Sequence, residues 1–198
     1  MVQKKRILDK ELRHELSKTD CHAIMDYLMV EFSERKDFHY NYYFDTPDGK
    51  LVKKDITLRL RTIVKDHDMT YHLTLKIPTI EKDTYLEYYE PIDEREMRLL
   101  AYNNKLPKGE IGELSSVHGN DVKLYNMIKV NRVYAMYLNQ KVYFDRISHR
   151  GKTYYEIGTR IDQSQSGDST QLANQFKALL QKFEIEFKQS PRRSKKYK

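Results

Sequence analysis

A chain of 198 residues is long enough for one large domain or two small ones, with a sizeable buried core. Charged residues make up 33% and hydrophobic residues 39%, too much charge for a simple sandwich core, while 16 Tyr and 7 Phe argue against disorder. The net charge of +7 admits nucleic acid, polyphosphate or an acidic partner, and a single cysteine, Cys21, excludes an internal disulfide.

Nothing at the N-terminus (MVQKKRILDK) forms an apolar signal core, and nowhere do 18 apolar residues run together, so the expectation is a soluble, cytoplasmic protein. No Cys/His cluster has zinc spacing. Residues 6–14 alternate as a strand, with Asp9, Glu11 and Arg13 on one face and Leu8 and Leu12 on the other. Ser17 and Asp20 have capping-box spacing, and Ile24, Tyr27, Leu28 and Phe32 recur at helical spacing, which predicts a helix over about 18–33. The charged run 34–37 is a solvated connection, followed by a strand over 39–44 and a Pro/Gly turn at 45–49. Cys21, on the predicted helix, reads as packed rather than reactive.

The stretch 56–64 alternates strictly. Ile56, Leu58, Leu60 and Val64 face one way, and Thr57, Arg59 and Arg61 the other. A turn at 65–68 leads to a partner strand, 69–77, which carries His72, Thr74 and Lys76 on its polar face. A further strand over 84–91 presents Tyr85, Glu87 and Tyr89, and residues 93–118 read as a helical crossover. Strands at about 128–137, 140–148 and 152–161 are joined by hairpin turns at Asn139-Gln140 and Arg150-Gly151. They bear Arg132, Asp145, Glu156 and Arg160. After a polar loop at 163–169, Leu172, Phe176, Leu179, Leu180 and Phe183 form a second amphipathic helix, and the tail from Ser190 is strongly basic.

Short antiparallel strands patterned on both faces suggest a barrel or a strongly curved sheet. If the charged faces point inward, the lumen holds both cations and carboxylates. Burying such groups unpaired costs several kcal/mol each, so the lumen needs pairing, water and a charged ligand. Cations grip phosphate oxygens, and carboxylates with room for water hold Mg²⁺ or Mn²⁺ bridged to phosphate.

In this arrangement the chain resembles the CYTH domain, the triphosphate tunnel metalloenzyme superfamily of thiamine triphosphatases, inorganic triphosphatases and class IV adenylate cyclases. Asp9-Lys10-Glu11-Leu12-Arg13 resembles the family's opening Glu-x-Glu-x-Lys, and Tyr42-Tyr43-Phe44-Asp45-Thr46 its Tyr-Tyr-Asp-Thr element. Leu58-Arg59-Leu60-Arg61 and Thr74-Leu75-Lys76 match its Leu-Arg-x-Arg and Thr-x-Lys strands. Glu87, Asn131-Arg132, Asp145 and Arg193-Ser194-Lys195 follow in the family's order. One departure stands out: the late Glu-x-Glu of the family reads Glu156-Ile157-Gly158 here, with Arg160 beyond it. Gly158 offers no side-chain ligand, and a lumen-facing Arg160 would disfavour a cation.

The resemblance implies an α+β fold over residues 1–198 as one domain: a closed or nearly closed eight-stranded antiparallel β-barrel with helices packed outside. It implies metal-dependent hydrolysis of a triphosphate, inorganic or organic, such as thiamine triphosphate. Arg59, Arg61, Lys76, Arg132 and Lys195 would then be catalytic, with Arg13 and Arg193 also binding substrate. Asp9, Glu11, Glu87, Asp145 and Glu156 would carry Mg²⁺ or Mn²⁺. Asp45 reads as a turn cap and is left out of the site. Two other readings remain: a weakly active or non-catalytic module that binds nucleotide, polyphosphate or RNA, and cyclisation of ATP. A nucleic-acid groove would keep its faces basic, whereas acids and bases interleave here. Cyclisation needs an adenine site, and no motif supplies one.

Overall fold

The structure is a computed structural model that describes residues 5–32, 38–65, 68–81, 83–115, 122–162 and 169–197. Its strands are β1 (Lys5–Leu16), β2 (Phe38–Asp45), β3 (Thr57–Lys65), β4 (Asp68–Pro78), β5 (Thr84–Ile92), β6 (Lys123–Tyr137), β7 (Gln140–His149) and β8 (Lys152–Asp162). They pair in the order β1-β5-β4-β3-β2-β6-β7-β8, and β8 returns to β1, so the sheet closes without an edge. Every pairing is antiparallel.

The helices are α1 (Lys18–Tyr27), α2 (Lys50–Lys53), α3 (Glu94–Asn103), α4 (Glu110–Leu114), α5 (Ser169–Gln181) and α6 (Arg193–Lys196). Two apolar cores lie on the barrel's outer surface. In one, Ile24 of α1 and Phe176, Leu179 and Leu180 of α5 pack on Leu12, Phe144 and Ile157. In the other, Leu100 of α3 and Ile111 of α4 cover Leu58, Leu60, Leu73 and Leu75. Period-2 alternation therefore sends the leucines outward to the helices and leaves the polar faces to the lumen. Among the described residues no helix is long and apolar enough to cross a membrane.

Several predicted bounds shift for local reasons. Helix α1 stops at Tyr27 instead of running to about 33, because Met29 takes a left-handed φ of 54°. Tyr27 is half exposed, so the packed stripe starts from Ile24, Cys21 and Met25. Ser17 accepts the Asp20 amide at 3.0 Å, but the Asp20 carboxylate accepts the Ser17 hydroxyl rather than a backbone amide, so the box is half made. Strand β6 begins five residues early, at Lys123. Its register with β2 shifts between Tyr43 and Phe44, and this bulge hid the alternation. The hairpin before β7 turns on Leu138 and Asn139, both at left-handed φ, so Gln140 already belongs to the strand. Arg150-Gly151 turns as expected. The crossover resolves into α3, whose Asp93/Glu96 capping box is complete, and α4. The run 34–37, turn residues 66–67 and loop residues 163–168 lie outside the described residues.

The basic tail folds back onto the barrel. The Ser190 amide donates to the Arg13 carbonyl at 2.8 Å, and the Ser194 hydroxyl lies 3.1 Å from that of Thr57. Tyr197 packs against His149 and Tyr154, beside Tyr43, Ile128, Val130 and Ile147. By register these residues share the inward face with Asn41 and Asp145, so the C-terminal segment closes one end of the lumen.

Candidate active site in the barrel lumen

The inward faces of six strands and the C-terminal segment line a space that opens to solvent. Eight of its twelve lining residues are arginine or lysine, and one, Glu11, is acidic. Two ion-pair clusters brace it. In the first, β1, β4 and β5 bring Lys76 Nζ to 2.6 Å from Asp9 Oδ2 and 3.3 Å from Glu87 Oε2. Arg59 Nη2 reaches Glu87 Oε1 at 3.4 Å and Thr74 Oγ1 at 3.3 Å. In the second, Arg132 grips Asp145 with two parallel bonds of 2.7 and 2.6 Å. Arg193, from the C-terminal segment, bonds Asp145 and also Glu156, the latter at 2.6 and 2.8 Å. Lys196 adds a 3.5 Å contact to Glu156.

These pairings set the protonation of the lumen. Burial would raise the Glu11, Glu87 and Asp145 pKa values, but neighbouring cations outweigh it in each case. Glu11 is held well below the carboxylate range by Arg13, Lys76, Arg160 and Arg193, Glu87 is lowered by Lys76, Arg160 and Arg59, and Asp145 falls to about 2 beside Arg132 and Arg193. All three are ionised at neutral pH. Burial and the guanidinium groups of Arg61 and Arg59 push His72 down to about 4, so it is neutral there.

Arg61 has no such relief. Its Nε donates to Asn41 Oδ1 at 2.8 Å, and among the described residues no carboxylate lies within 4 Å of its guanidinium. Burial, then the like charges of Arg59, Arg132 and Arg160, push its pKa down to about 9. The Nε atoms of Arg13 and Arg59 are also buried without a hydrogen bond, that of Arg13 facing Glu11 Oε2 only at 3.6 Å. The lumen thus holds cationic donors that its own acids leave unmatched, the condition for binding an anion.

Of the predicted residues, Asp9, Glu11, Arg13, Arg59, Arg61, Lys76, Glu87, Arg132, Asp145, Glu156 and Arg193 come together in or against the lumen. Lys195 does not. It is half exposed and pairs with Asp55 at 2.9 Å, because the short α6 turns Arg193 inward and Lys195 away. Asp45 accepts the amides of Thr46, Leu51 and Val52, the cap role expected of it. The sequence reading left out of the site Tyr43, Thr57, Arg160, Arg192 and Ser194, which line the lumen, and Tyr143, which bonds Glu11. Period-2 counting reaches Tyr143, Thr57 and Arg160, which stand two residues before Asp145, two before Arg59 and four after Glu156. Arg192 and Ser194 depend on the C-terminal fold-back, which has no local signal.

A closed antiparallel barrel with a cationic lumen buttressed by internal carboxylates is the architecture of a triphosphate tunnel. The sequence matches the CYTH domain over residues 26–196, and the chain belongs to that family. No curated protein sequence matches. A Bacillus halodurans protein provisionally assigned as an adenylate cyclase is 20% identical, with a TM-score of 0.81 over 97% of this chain and 98% of its own. A Hippeastrum adenylyl cyclase candidate, whose dominant activity is that of a triphosphatase, is 18% identical, with a TM-score of 0.72 over 95% and 93%. At these identities the likeness is one of fold.

CYTH proteins typically hydrolyse triphosphates and generally use divalent metals. The donor set here does not fit a resident divalent ion. Asp9, Glu87, Asp145 and Glu156 each contact at least one lumen cation within 3.4 Å. Glu11 accepts the Tyr143 hydroxyl at 2.6 Å on one oxygen and faces Arg13 at 3.6 Å on the other. At Gly158, between Glu156 and Arg160, a Cβ would lie 2.5 Å from Tyr143 Cζ and 2.8 Å from the Leu12 carbonyl, so the ring fills the place a ligand side chain needs.

Proposed function

We propose that the lumen binds a triphosphate, inorganic or organic such as thiamine triphosphate, and hydrolyses its terminal phosphoanhydride. The observation that carries this reading is Arg61, a buried guanidinium with no carboxylate within 4 Å among the described residues, crowded by Arg59, whose own Nε–H lacks an acceptor. A chain of phosphates supplies the missing acceptors, and guanidinium forks match its oxygens. In the reaction, water adds to the terminal phosphorus and the bond to the bridging oxygen breaks. The bridging oxygen leaves with the diphosphate, the water's oxygen stays on the released phosphate, and the water's second proton passes to the products or to bulk water. Arg59 and Arg61 hold the equatorial oxygens and stabilise the charge that spreads over them. Lys76 fixes the angle of Asp9 and Glu87, and Arg132 and Arg193, saturated by Asp145 and Glu156, keep the far wall rigid.

One observation favours a second reading. The crowding of Tyr143 over Gly158 removes a carboxylate position from the wall, which suits a tunnel that binds polyphosphate with little turnover. Phosphate release from inorganic triphosphate, ATP and thiamine triphosphate, with Mg²⁺, Mn²⁺ or chelator, separates the two when run beside an Arg59→Ala/Arg61→Ala variant. Release that the variant loses supports hydrolysis. Binding without release, also lost in the variant, supports the second reading. Neither release nor binding removes both.

A further inference from the structure

Three lumen carboxylates from neighbouring strands β1 and β5 converge on one guanidinium from β8. Arg160 Nε lies 3.9 Å from Asp9 Oδ1 and 4.0 Å from Glu11 Oε1, and its Nη1 lies 3.6 Å from Glu87 Oε2. The cross-strand register, Glu11 opposite Arg160, fixes this position. None of the three distances is that of a hydrogen bond. Arg132 spends its donors on Asp145 at 2.6–2.7 Å, whereas Arg160 balances three acids and keeps its donors free. Its side chain is also 38% exposed, against less than a tenth for Arg13, Arg59, Lys76, Arg132 and Arg193. It is the lumen cation that an incoming ligand can reach most easily.

We propose that Arg160 is a built-in replacement for a divalent cation: it neutralises Asp9, Glu11 and Glu87 and turns its free N–H groups to the phosphate, so that triphosphate binds without metal. The proposal rests on the triphosphate reading of the lumen. A divalent ion between carboxylates and phosphate cancels the acids' charge and bridges them to the ligand. A guanidinium does both, with a fixed charge and directional donors. Burial would weaken that charge, but Glu87, Asp9 and Glu11 hold the Arg160 pKa well above its ordinary value. The wall beside it agrees. Gly158 is the next inward position on β8, and the Tyr143 ring above it donates its hydroxyl to Glu11 Oε1, occupying an oxygen that a metal would need. Glu87 Oε2 is buried without a hydrogen bond and held by ion pairs to Lys76 and Arg160, so removing Arg160 takes away one of the two cations that offset its charge.

The test uses the full chain and two variants, Arg160→Gln and Arg160→Lys, each checked for native circular dichroism. Calorimetry measures inorganic triphosphate binding in chelator and in excess Mg²⁺, and electron paramagnetic resonance counts bound Mn²⁺ without triphosphate. The wild type should bind triphosphate equally, within about threefold, in both conditions and hold no stoichiometric Mn²⁺. Arg160→Gln should bind at least about tenfold more weakly in chelator, from loss of charge-assisted bonds, and should gain a Mn²⁺ site that restores part of the affinity. Arg160→Lys should keep metal-independent binding. Stoichiometric Mn²⁺ on the wild type, a wild-type affinity that collapses in chelator, or no Mn²⁺ gained by Arg160→Gln would each overturn the proposal. If triphosphate fails to bind under any condition, the triphosphate reading falls, and the Mn²⁺ counts still decide whether Arg160 holds a cation's place.

Discussion

Arg61 gives the sharpest test of the idea that the lumen is built to bind an anion. A lowering from the ordinary 12.5 to about 9 means the charged form is disfavoured in the folded protein. At about 1.4 kcal/mol per unit, that is roughly 4–5 kcal/mol of unfavourable energy before solvent in the open lumen screens it. Replacing the side chain with a shorter, unbranched apolar one, Arg61→Met, removes this penalty. The change also removes the bond to Asn41, a loss of about 1 kcal/mol. The expected net result is a stabilisation of about 1–3 kcal/mol without ligand, read as a rise in Tm of several degrees by scanning calorimetry. The sign follows from linkage: a basic group with a depressed folded pKa binds fewer protons folded than unfolded between pH 9 and 12.5. Its cost is fully present below pH 9 and fades as pH rises through that window. With triphosphate the order should reverse, because only the wild type gains the stabilisation of bound ligand. An apo Arg61→Met protein that melts below the wild type would refute the reasoning, since Arg61 would then be a satisfied structural residue.

Three further outcomes follow from the lumen's geometry. Asp145→Asn takes one of two carboxylate acceptors from Arg132 and one of three bonds from Arg193, and should cost about 3–5 kcal/mol at pH 7 in urea denaturation. Because the Asp145 pKa is lowered to about 2, its contribution is present above the unfolded value near 4 and lost as pH falls through 2, so the gap from wild type should shrink by pH 2.5. Gly158→Ala drives a Cβ into the Tyr143 ring and the Leu12 carbonyl, and should cost about 2–3 kcal/mol. Adding Tyr143→Ala should recover only the part of that cost due to the ring. Lys195→Ala should leave stability and triphosphate affinity within about 0.5 kcal/mol of wild type, as expected of an exposed pair with Asp55, whereas Arg193→Ala should damage both.

The barrel was legible because alternation is strict where it matters. Leu58 and Leu60 against Arg59 and Arg61, and Leu73 and Leu75 against Thr74 and Lys76, each assign a face without ambiguity, and antiparallel closure then sets the polar faces inward. The pattern failed at two kinds of place. At the β2–β6 bulge one extra residue inverts the count, which hid the first five residues of β6. The tail hid more, because in SPRRSKKYK the choice of inward cation depends on one helical turn. A three-residue period separates Arg193 from Lys196, which both reach Glu156, and sends Lys195 out to Asp55. No motif encodes that phase. It is set by where the Ser190 amide meets the Arg13 carbonyl, a contact across more than 170 residues of sequence.

The two ion-pair clusters have different consequences for any reaction. Around Asp145 and Glu156 the bonds are short, bidentate and shielded from water, so that wall resists reorganisation. Around Asp9, Glu11 and Glu87 one pair is short, Lys76–Asp9 at 2.6 Å, but the contacts of Arg160, the most exposed lumen cation, run from 3.6 to 4.0 Å. A ligand can draw Arg160 away from acids it does not hydrogen-bond at less cost than it can break the Arg132–Asp145 fork. The phosphate chain should therefore engage both Arg61 and Arg160, which line the same space. That placement ties the unmatched charge of Arg61 to the loosely held charge of Arg160 as two ends of one anion site. It also makes their effects coupled. The losses in triphosphate affinity from Arg61→Met and Arg160→Gln should be non-additive in a double-mutant cycle, whereas either change combined with Lys195→Ala should add.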